Sequence, residues 1–176
     1  MLASSYTPPL VTVAIETVMG EFAATYSPTG LARLEFPKSS GKKSGVVTNA
    51  PAGVRAWHRL TTVALKKVLV GRDAGELPPL DWSGATEFQQ AVWRAMLEIP
   101  AGQTQSYGEI AGGIGRPKAV RAVGGACGAN PIPVLVPCHR VLAAGGKIGG
   151  FSSGLDWKRK LLAAEGDKLL SAACKV

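Results

Sequence analysis

The feature that most constrains the fold is a change in hydrophobic pattern halfway along the 176-residue chain. Residues 11–36 carry short, roughly alternating apolar segments separated by turn residues, a pattern typical of antiparallel strands. Residues 86–127 instead carry apolar side chains at helical spacing, between helix start and stop signals. Because strands and helices occupy separate stretches, the chain is predicted to be an α+β protein.

The first half predicts a small antiparallel sheet and one helix, which would form an N-terminal α/β domain over residues 1–82. Strands are expected at residues 11–15, 21–26 and 31–36. A polar loop is expected at 38–49, a helix at 52–70, and a glycine- and proline-containing linker at 71–83. Residues 83–176 would form a mostly helical C-terminal domain.

Start signals mark two helices in the second half. Thr86 and Gln89 have the spacing of a capping box, and the apolar face that follows them is stopped by Pro100. Ser106 and Glu109 repeat this arrangement at the start of a short helix. The second half is therefore predicted to begin with two helices whose starts are fixed by side-chain caps.

A third helix is predicted at 118–127, directly after a tight turn that contains Gly115. Val120, Val123 and Cys127 are expected to share its inward face. Two short helices joined by a tight turn predict a helix-turn-helix.

The outward face of this third helix is nearly featureless. Arg121 is its only long polar side chain, and it stands among Ala119, Ala122, Gly125 and Ala126. Such a face offers little to base edges, but it permits close approach to DNA, and Arg121 could enter the stack in place of a displaced base. The alternative is that these small residues serve only tight helix packing.

Cys138 is the candidate nucleophile. The apolar run at 134–136 predicts a buried strand that ends at this cysteine, which is followed by His139 and Arg140. A thiol beside a histidine and an arginine can become a thiolate, the nucleophilic form. The alternative is a buried thiol that only fills space.

The charge distribution indicates an anionic partner. The chain has 20 Lys and Arg against 12 Asp and Glu, a formal net charge of +8. No carboxylate lies between Glu109 and Asp156, a window that contains Cys138. We expect this window to attract phosphate and to lower the pKa of the thiol, although a solvated basic face is the alternative. Its basic residues are Arg116, Lys118, Arg121, Arg140 and Lys147.

Several classes of protein are excluded. The chain has no apolar run long enough to span a membrane, and residues 1–9 lack the basic start and apolar middle of a secretory signal. We expect a soluble protein in the reducing cytoplasm. The odd number of cysteines, without metal-type spacing, predicts neither a disulfide framework nor a zinc site. These cysteines are Cys127, Cys138 and Cys174.

An ordered set of motifs from about Thr86 to Gly166 resembles the O6-alkylguanine-DNA alkyltransferase family. They are Ser-Tyr-Gly-Glu-Ile-Ala at 106–111, Ala-Val-Arg-Ala-Val-Gly at 119–124, Asn-Pro-Ile-Pro at 130–133, Val-Pro-Cys-His-Arg-Val at 136–141, Gly-Gly-Phe-Ser at 149–152 and Leu-Leu-Ala-Ala-Glu-Gly at 161–166. The resemblance implies a ribonuclease H-like N-terminal domain. It also implies a monomer that transfers an alkyl group from O6 of guanine in double-stranded DNA to Cys138, once and irreversibly, without a cofactor.

The resemblance further implies catalytic roles. His139 would deprotonate Cys138 through a water, since adjacent side chains on an extended chain point to opposite faces. Glu165 would orient the imidazole and balance its charge. Tyr107 would donate a hydrogen bond to the leaving guanine, and Asn130 would hold the turn before the active-site strand.

Other residues would contact DNA or surround the base. By resemblance, Arg121 would fill the gap left by the extruded nucleotide, and the loop with Phe151 and Ser152 would close over the base. Lys158 would assist the thiolate electrostatically, unless it lies on a solvated helix face. Arg140 is predicted to be a buried salt-bridge partner. The remaining predicted DNA- or base-contacting residues are Tyr107, Ala119, Gly125 and Val141.

Two positions depart from the family pattern, and a third, His58, concerns a zinc site that some relatives carry. Phe151 stands where many relatives carry tyrosine, so the base would be held there by apolar contact. Gly128 stands where some carry a second basic residue, which predicts weaker nonspecific DNA affinity. The first half has one histidine, His58, and no cysteine, so a zinc site there is not supported, and His58 is interpreted as a helix-surface or interdomain residue.

Three other functions fit the sequence less well than alkyl transfer. A module that binds alkylated DNA without reacting has no need of Cys138, and a helix-turn-helix regulator would need a more polar recognition face. A cysteine hydrolase would need a direct hydrogen bond between Cys138 and its base, which adjacent residues on an extended chain do not form. The accepted alkyl groups, repair of O4-alkylthymine and clustering along DNA stay open.

Overall fold

The computed structural model describes residues 10–38 and 50–166. Within them, five α-helices and two small sheets confirm the predicted α+β class. Residues 1–9, nearly all of the loop predicted at 38–49, and Cys174 lie outside the described residues. In the described ranges no helix is long and apolar enough to cross a bilayer. The predicted domain boundary after residue 82 stays a prediction, and one cluster of buried apolar side chains runs through both halves.

Three antiparallel strands form the larger sheet, with β2 in the middle. They are β1 Val11–Thr17, β2 Gly20–Ser27 and β3 Gly30–Glu35. The predicted alternation fails in β2, where every side chain from Phe22 to Ser27 is buried. A middle strand has neighbours along both edges, and its small outer residues are covered by them: the hydroxyl of Thr25 lies 2.9 Å from that of Thr12 on β1.

Residues 71–83, predicted to be a linker, extend this sheet. The Leu31 N–H donates to the Pro79 carbonyl at 2.8 Å, and the Asp81 N–H donates to the Leu31 carbonyl at 2.8 Å. Glycine is required at position 30, because a Cβ there would overlap the Pro79 carbonyl oxygen. The segment is therefore fixed to the edge of β3 rather than being only a connection.

Helix α1, Ala52–Leu69, ends one residue before the predicted limit and packs on the sheet. His58 is half-buried, with its Nδ1 3.2 Å from the hydroxyl of Tyr26 on β2, so it attaches the helix to the sheet. Beyond the helix, a Cβ on Gly71 would overlap the carbonyl oxygen of Ala164. The end of α1 therefore lies directly against the last described helix.

Three helices of the second half pack together: α2 Glu87–Leu97, α3 Tyr107–Gly113 and α4 Val120–Gly128. Both predicted capping boxes are formed, at Thr86 and Ser106. The Trp93 indole N–H donates to the Ala126 carbonyl at 2.8 Å and ties α2 to α4. Helices α3 and α4, joined by the predicted turn, have the helix-turn-helix order.

Two residues of α4 were assigned to the wrong side. Val120 was expected to face inward but is 41% exposed, whereas Val123 and Cys127 are buried as predicted. The helix begins at Val120, two residues later than predicted, so the Val120 side chain lies in the first turn, before the helix reaches the core. Ala126 was expected on the outward face but is buried, because this part of α4 packs against α2.

The chain then runs through an irregular segment to the site. Its elements are a 3-10 turn at Cys138–Arg140, strand β5 Val141–Leu142, a second 3-10 turn at Ala144–Gly146, and helix α5 Leu155–Ala164. Strand β5 pairs in parallel with the short strand β4, Gln105–Ser106, which directly precedes α3.

Candidate active site

The candidate nucleophile begins a turn. The predicted strand at 134–136 is wrong, because this buried run makes only an isolated bridge between Pro133 and Val136. Val134 has a φ of 74°, a value that a β-branched residue seldom adopts in a strand, and Pro137 has no N–H to donate to a ladder. The Cys138 N–H donates to the Val136 carbonyl at 2.8 Å, and the Arg140 N–H donates to the Pro137 carbonyl at 2.9 Å, which closes the 3-10 turn. The backbone at Cys138 and His139 is therefore not extended, so the expectation that their side chains point to opposite faces of a strand does not apply.

Asn130 fixes the segment that leads into this turn. Its Nδ2 donates to the Val136 carbonyl at 2.9 Å, and its Oδ1 accepts from the Ile132 N–H at 3.0 Å. The side chain is buried between the end of α4 and Cys138. It thus supplies hydrogen bonds that a proline-rich irregular segment cannot make within itself.

Glu165, directly after α5, joins the two residues that follow Cys138. Its Oε1 lies 3.0 Å from Nε2 of His139 and accepts from Nη2 of Arg140 at 2.8 Å, and its Oε2 accepts from Nε of Arg140 at 3.1 Å and from the Gly102 N–H at 3.2 Å. Arg140 also donates to the Ile99 carbonyl. The predicted buried salt bridge of Arg140 is thus formed, with Glu165 as its partner.

This network determines the state of the His139 ring. Since Glu165 faces Nε2, that nitrogen carries the proton, and Nδ1 is left as an acceptor. Nδ1 is buried and has no hydrogen-bond partner among the described residues. Burial lowers the pKa of His139, and the neighbouring Glu165 opposes this only in part. The ring is therefore neutral near pH 7 and able to accept a proton at Nδ1.

Glu165 itself stays ionised. Burial raises the pKa of this carboxyl group, but the hydrogen bonds and charges of His139 and Arg140 outweigh burial and lower the pKa to about 2. A fixed negative charge therefore faces the imidazole, and it would stabilise the ring if Nδ1 took up a proton.

The thiol of Cys138 is neutral at rest. Cys138 is only 5% exposed, and burial raises the pKa of its thiol. The hydrogen bond with Asn130 and the charge of Lys158 oppose this rise without reversing it. The expectation that the basic window lowers the thiol pKa is wrong. Of the five basic residues in that window, all but Arg140 are exposed, and Arg140 is neutralised by Glu165. Attack by this sulfur therefore requires a base.

Lys158 lies in the core rather than on a solvated face. It is fully buried, and its Nζ donates to the Val141 carbonyl at 2.7 Å and to the Gly150 carbonyl at 3.4 Å. Burial lowers the pKa of this amine, while the two cysteines, Cys138 and Cys127, raise it. The lysine thus places a cation near the thiol and also holds the loop at Gly150.

The thiol lies in the wall of a small pocket of about 160 Å³. Three parts of the chain contribute: the start of α3, the inner side of α4 and the glycine-rich loop before α5. The lining residues are Tyr107, Gly124, Cys127, Gly128, Cys138, Gly150, Phe151 and Ser152. Tyr107, from one predicted motif, and Phe151 and Ser152, from another, thus meet at Cys138. Val141, predicted to contact the base, is fully buried and is not part of this wall.

Comparison with known proteins shows which family the chain belongs to. Residues 87–167 match the model of the 6-O-methylguanine DNA methyltransferase DNA-binding domain. The methylated-DNA–protein-cysteine methyltransferase of Methanosarcina barkeri is 40% identical over 158 residues, which cover 88% of this chain and 96% of the relative. The chain belongs to this methyltransferase family.

Two further matches show how far the likeness extends. The methylated-DNA–protein-cysteine methyltransferase of Methanosarcina acetivorans is 57% identical over 96 residues, or 53% of this chain, and that match spans only 62% of the relative's length. The crystal structure of Mycobacterium tuberculosis OGT in complex with DNA superimposes with a TM-score of 0.64 at 37% identity, covering 88% of this chain and 92% of the other.

Three of the residues predicted to contact DNA lie on or beside α4. Arg121 and Gly125 are exposed on α4, and Ala119 immediately precedes that helix. The inner side of α4 lines the pocket through Gly124 and Cys127, so the same helix carries both the exposed arginine and part of the pocket wall.

Some parts of the methyltransferase site were missed by sequence reasoning. Cys127 was assigned only to the core, although its sulfur lies 3.6 Å from that of Met96 and also borders the pocket. Its position three residues after Gly124 on one helix face could have indicated this. Asp73, which accepts from the Ala101 N–H at 2.7 Å and lies 3.8 Å from Arg140, carried no sequence signal, because it comes from the segment taken as a linker.

Proposed function

We propose that this methyltransferase removes a methyl or other alkyl group from O6 of guanine in double-stranded DNA and keeps it on Cys138, irreversibly and once per molecule. The observation that carries the proposal is the state of His139. A buried, neutral imidazole with an unpartnered Nδ1 follows directly after a thiol that needs a base.

The Cys138 thiol would lose its proton before its sulfur attacks the alkyl carbon, or at the same time. The Cys138 thiol proton passes through one water to Nδ1 of His139, and the resulting imidazolium is stabilised by ionised Glu165. The pair of His139 and Glu165 matches the base and orienting group of other activated nucleophiles, although here the base acts across a water.

Alkyl transfer then exchanges one bond for another. The sulfur of Cys138 attacks the alkyl carbon, a C–S bond forms, and the bond between that carbon and O6 breaks with its electron pair going to the guanine. Tyr107, which lines the same pocket, donates a hydrogen bond to the leaving guanine so that it does not depart as a bare anion. Lys158 stabilises the developing thiolate, and Asn130 keeps the turn at Cys138 in place.

Access to the pocket requires that the alkylated nucleotide leave the duplex. Arg121 would occupy the space that the nucleotide leaves, while Ala119 and Gly125 allow the backbone of DNA to approach α4. Val141 is given no contact with the base in this proposal, because its side chain is buried and its carbonyl accepts a hydrogen bond from Lys158. The net charge of +8 supports a duplex DNA partner.

We also propose that one copy of the chain is sufficient and that it acts in the reducing cytoplasm, close to the nucleoid. Thiol, base, orienting carboxylate and pocket all come from the described residues of a single chain. A reducing compartment keeps Cys138 available for its one reaction.

The test uses duplex DNA that contains one O6-methylguanine. Wild-type protein should gain the mass of one methyl group on the peptide that contains Cys138, with an equal amount of guanine restored. Cys138→Ser should gain none and repair none. Cys127→Ser, which changes the other thiol of the pocket, is the matched control and should still repair. Repair by Cys138→Ser, or methylation mapped to Cys127 in the wild-type protein, would contradict the assignment.

A further inference from the structure

A cluster of four aromatic side chains connects the first half of the chain to the pocket. Phe36, just after β3, lies between Phe151 of the pocket wall and Trp157 of α5. Its ring centroid is 6.0 Å from that of Phe151 at an interplanar angle of 79°, and 4.8 Å from that of Trp157. Phe22 completes the cluster, 5.4 Å from Phe36 and 5.7 Å from Trp157. Edge-to-face contacts of this kind are favourable and fix ring orientation.

The loop that carries Phe151 has few other restraints. It lies between two structured elements, the turn at Ala144–Gly146 and α5, and contains Gly149, Gly150 and Gly154. Its contacts with the rest of the chain include the 3.4 Å hydrogen bond from Lys158 to the Gly150 carbonyl. A phenylalanine has no hydroxyl group with which to anchor its ring. The orientation of Phe151 therefore depends on the rings packed against it.

Phe36 also belongs to the surroundings of the pocket mouth. It lines a groove together with Gly128 and Ser152, and both of these residues line the pocket that contains Cys138. Phe36 thus contacts the loop through Phe151, while Trp157 of α5 packs against Phe36.

We propose that Phe36 is a positioning residue for the base pocket: by its edge-to-face contact it holds Phe151 against the space that receives the alkylated guanine. The first half of the chain then sets the shape of the pocket, although none of its described residues lines that pocket. This inference rests on the proposed function for what the pocket binds.

The first measurement compares Phe36→Leu with wild type, using free O6-methylguanine as the probe. The rate of Cys138 methylation is followed as a function of base concentration. An aromatic pair contributes about 0.5–1.5 kcal/mol, so the half-saturating concentration should rise about 2- to 10-fold. The rate at saturation should stay unchanged, because Cys138, His139 and Glu165 are not altered.

Two variants separate positioning from general support of the fold. Phe36→Tyr keeps the ring and should restore the wild-type half-saturating concentration. Phe22→Leu removes a ring that contacts Phe36 and Trp157 but makes no recorded ring contact with Phe151, so it should lower thermal stability more than base affinity. A double variant, Phe36→Leu with Phe151→Leu, should bind the base no more weakly than Phe151→Leu alone if Phe36 acts through Phe151.

A second readout does not depend on alkyl transfer from guanine. Loss of the Phe36 ring should loosen the loop and accelerate labelling of Cys138 by iodoacetamide, mapped on its own peptide, relative to wild type. The positioning role is overturned if Phe36→Leu leaves labelling unchanged, or if it and Phe151→Leu have additive effects on base affinity. Faster labelling in a protein that takes no methyl group from DNA would instead support the positioning role and refute the proposed function.

Discussion

Replacing Glu165 by glutamine tests the network that holds the proposed base. The Glu165 side chain is 1% exposed, and that of its partner Arg140 is 5% exposed. Glutamine keeps the shape but removes the charge, so Arg140 would stay buried without its counter-ion, a change that costs about 3–5 kcal/mol. Asp73, 3.8 Å from Arg140 and 67% exposed, offers partial compensation. We therefore expect Glu165→Gln to lower the free energy of unfolding at pH 7 by about 3 kcal/mol, the lower end of this range.

The same residue makes stability depend on pH in a defined direction. Burial raises the pKa of Glu165, but His139 and Arg140 together lower it from 4.5 to about 2. As pH falls, the unfolded chain therefore takes up this proton before the folded protein does. The contribution of ionised Glu165 to the free energy of unfolding is complete above about pH 5 and is lost progressively down to about pH 2. A pKa lowered from 4.5 to about 2 corresponds to about 3 kcal/mol, in agreement with the cost from charge burial.

Urea unfolding followed by tryptophan fluorescence measures both effects. Asp156→Asn is the matched control, because Asp156 is in the first turn of α5, is 87% exposed, and pairs with Arg159 at 3.1 Å. An exposed pair of this kind contributes about 1 kcal/mol or less. The stability difference between wild type and Glu165→Gln should shrink as pH falls from about 5 to 3. Equal stability of the two proteins at pH 7, or a difference that does not change with pH, would refute the reasoning.

The remaining predictions concern activity. Arg121→Ala should slow repair of duplex DNA more than reaction with free O6-methylguanine, and equal losses on both substrates would exclude a role in extruding the nucleotide. The transfer rate should be flat from about pH 7 to 9 and should fall only below 6.5, because the reaction needs neutral His139, whose pKa burial lowers from 6.5. A tenfold rise in rate for each pH unit between about 7 and 9 would show instead that a pre-formed thiolate of Cys138 attacks.

Local sequence signals predicted the elements whose cause is local. The capping boxes at Thr86 and Ser106 fixed the starts of α2 and α3, because each cap is made by residues three positions apart. The helical spacing of apolar residues placed α1 within one residue of its observed end. The order of the motifs also brought Tyr107, Phe151 and Ser152 to one pocket, although this came from a resemblance and not from spacing.

The errors came from features that depend on the rest of the chain. An apolar run at 134–136 is compatible with a strand, and only the structure shows that Val134 has a positive φ and that the run makes no more than an isolated bridge among the described residues. The thiol pKa was misjudged because charge can be counted along a sequence, whereas burial of Cys138 and neutralisation of Arg140 depend on tertiary contacts. The contact of residues 71–83 with β3 was missed for the same reason.

Burial raises the pKa of Cys138, and this suits the proposed function, in which the protein reacts once. A thiolate exposed at rest would react with any soft electrophile, and each such event would consume the molecule. Burial keeps the sulfur protonated, and His139 is available as a base only through Nδ1, since its Nε2 is engaged by Glu165. Reactivity is thereby limited to an alkyl carbon held in the pocket, so the burial that weakens the nucleophile also provides its selectivity.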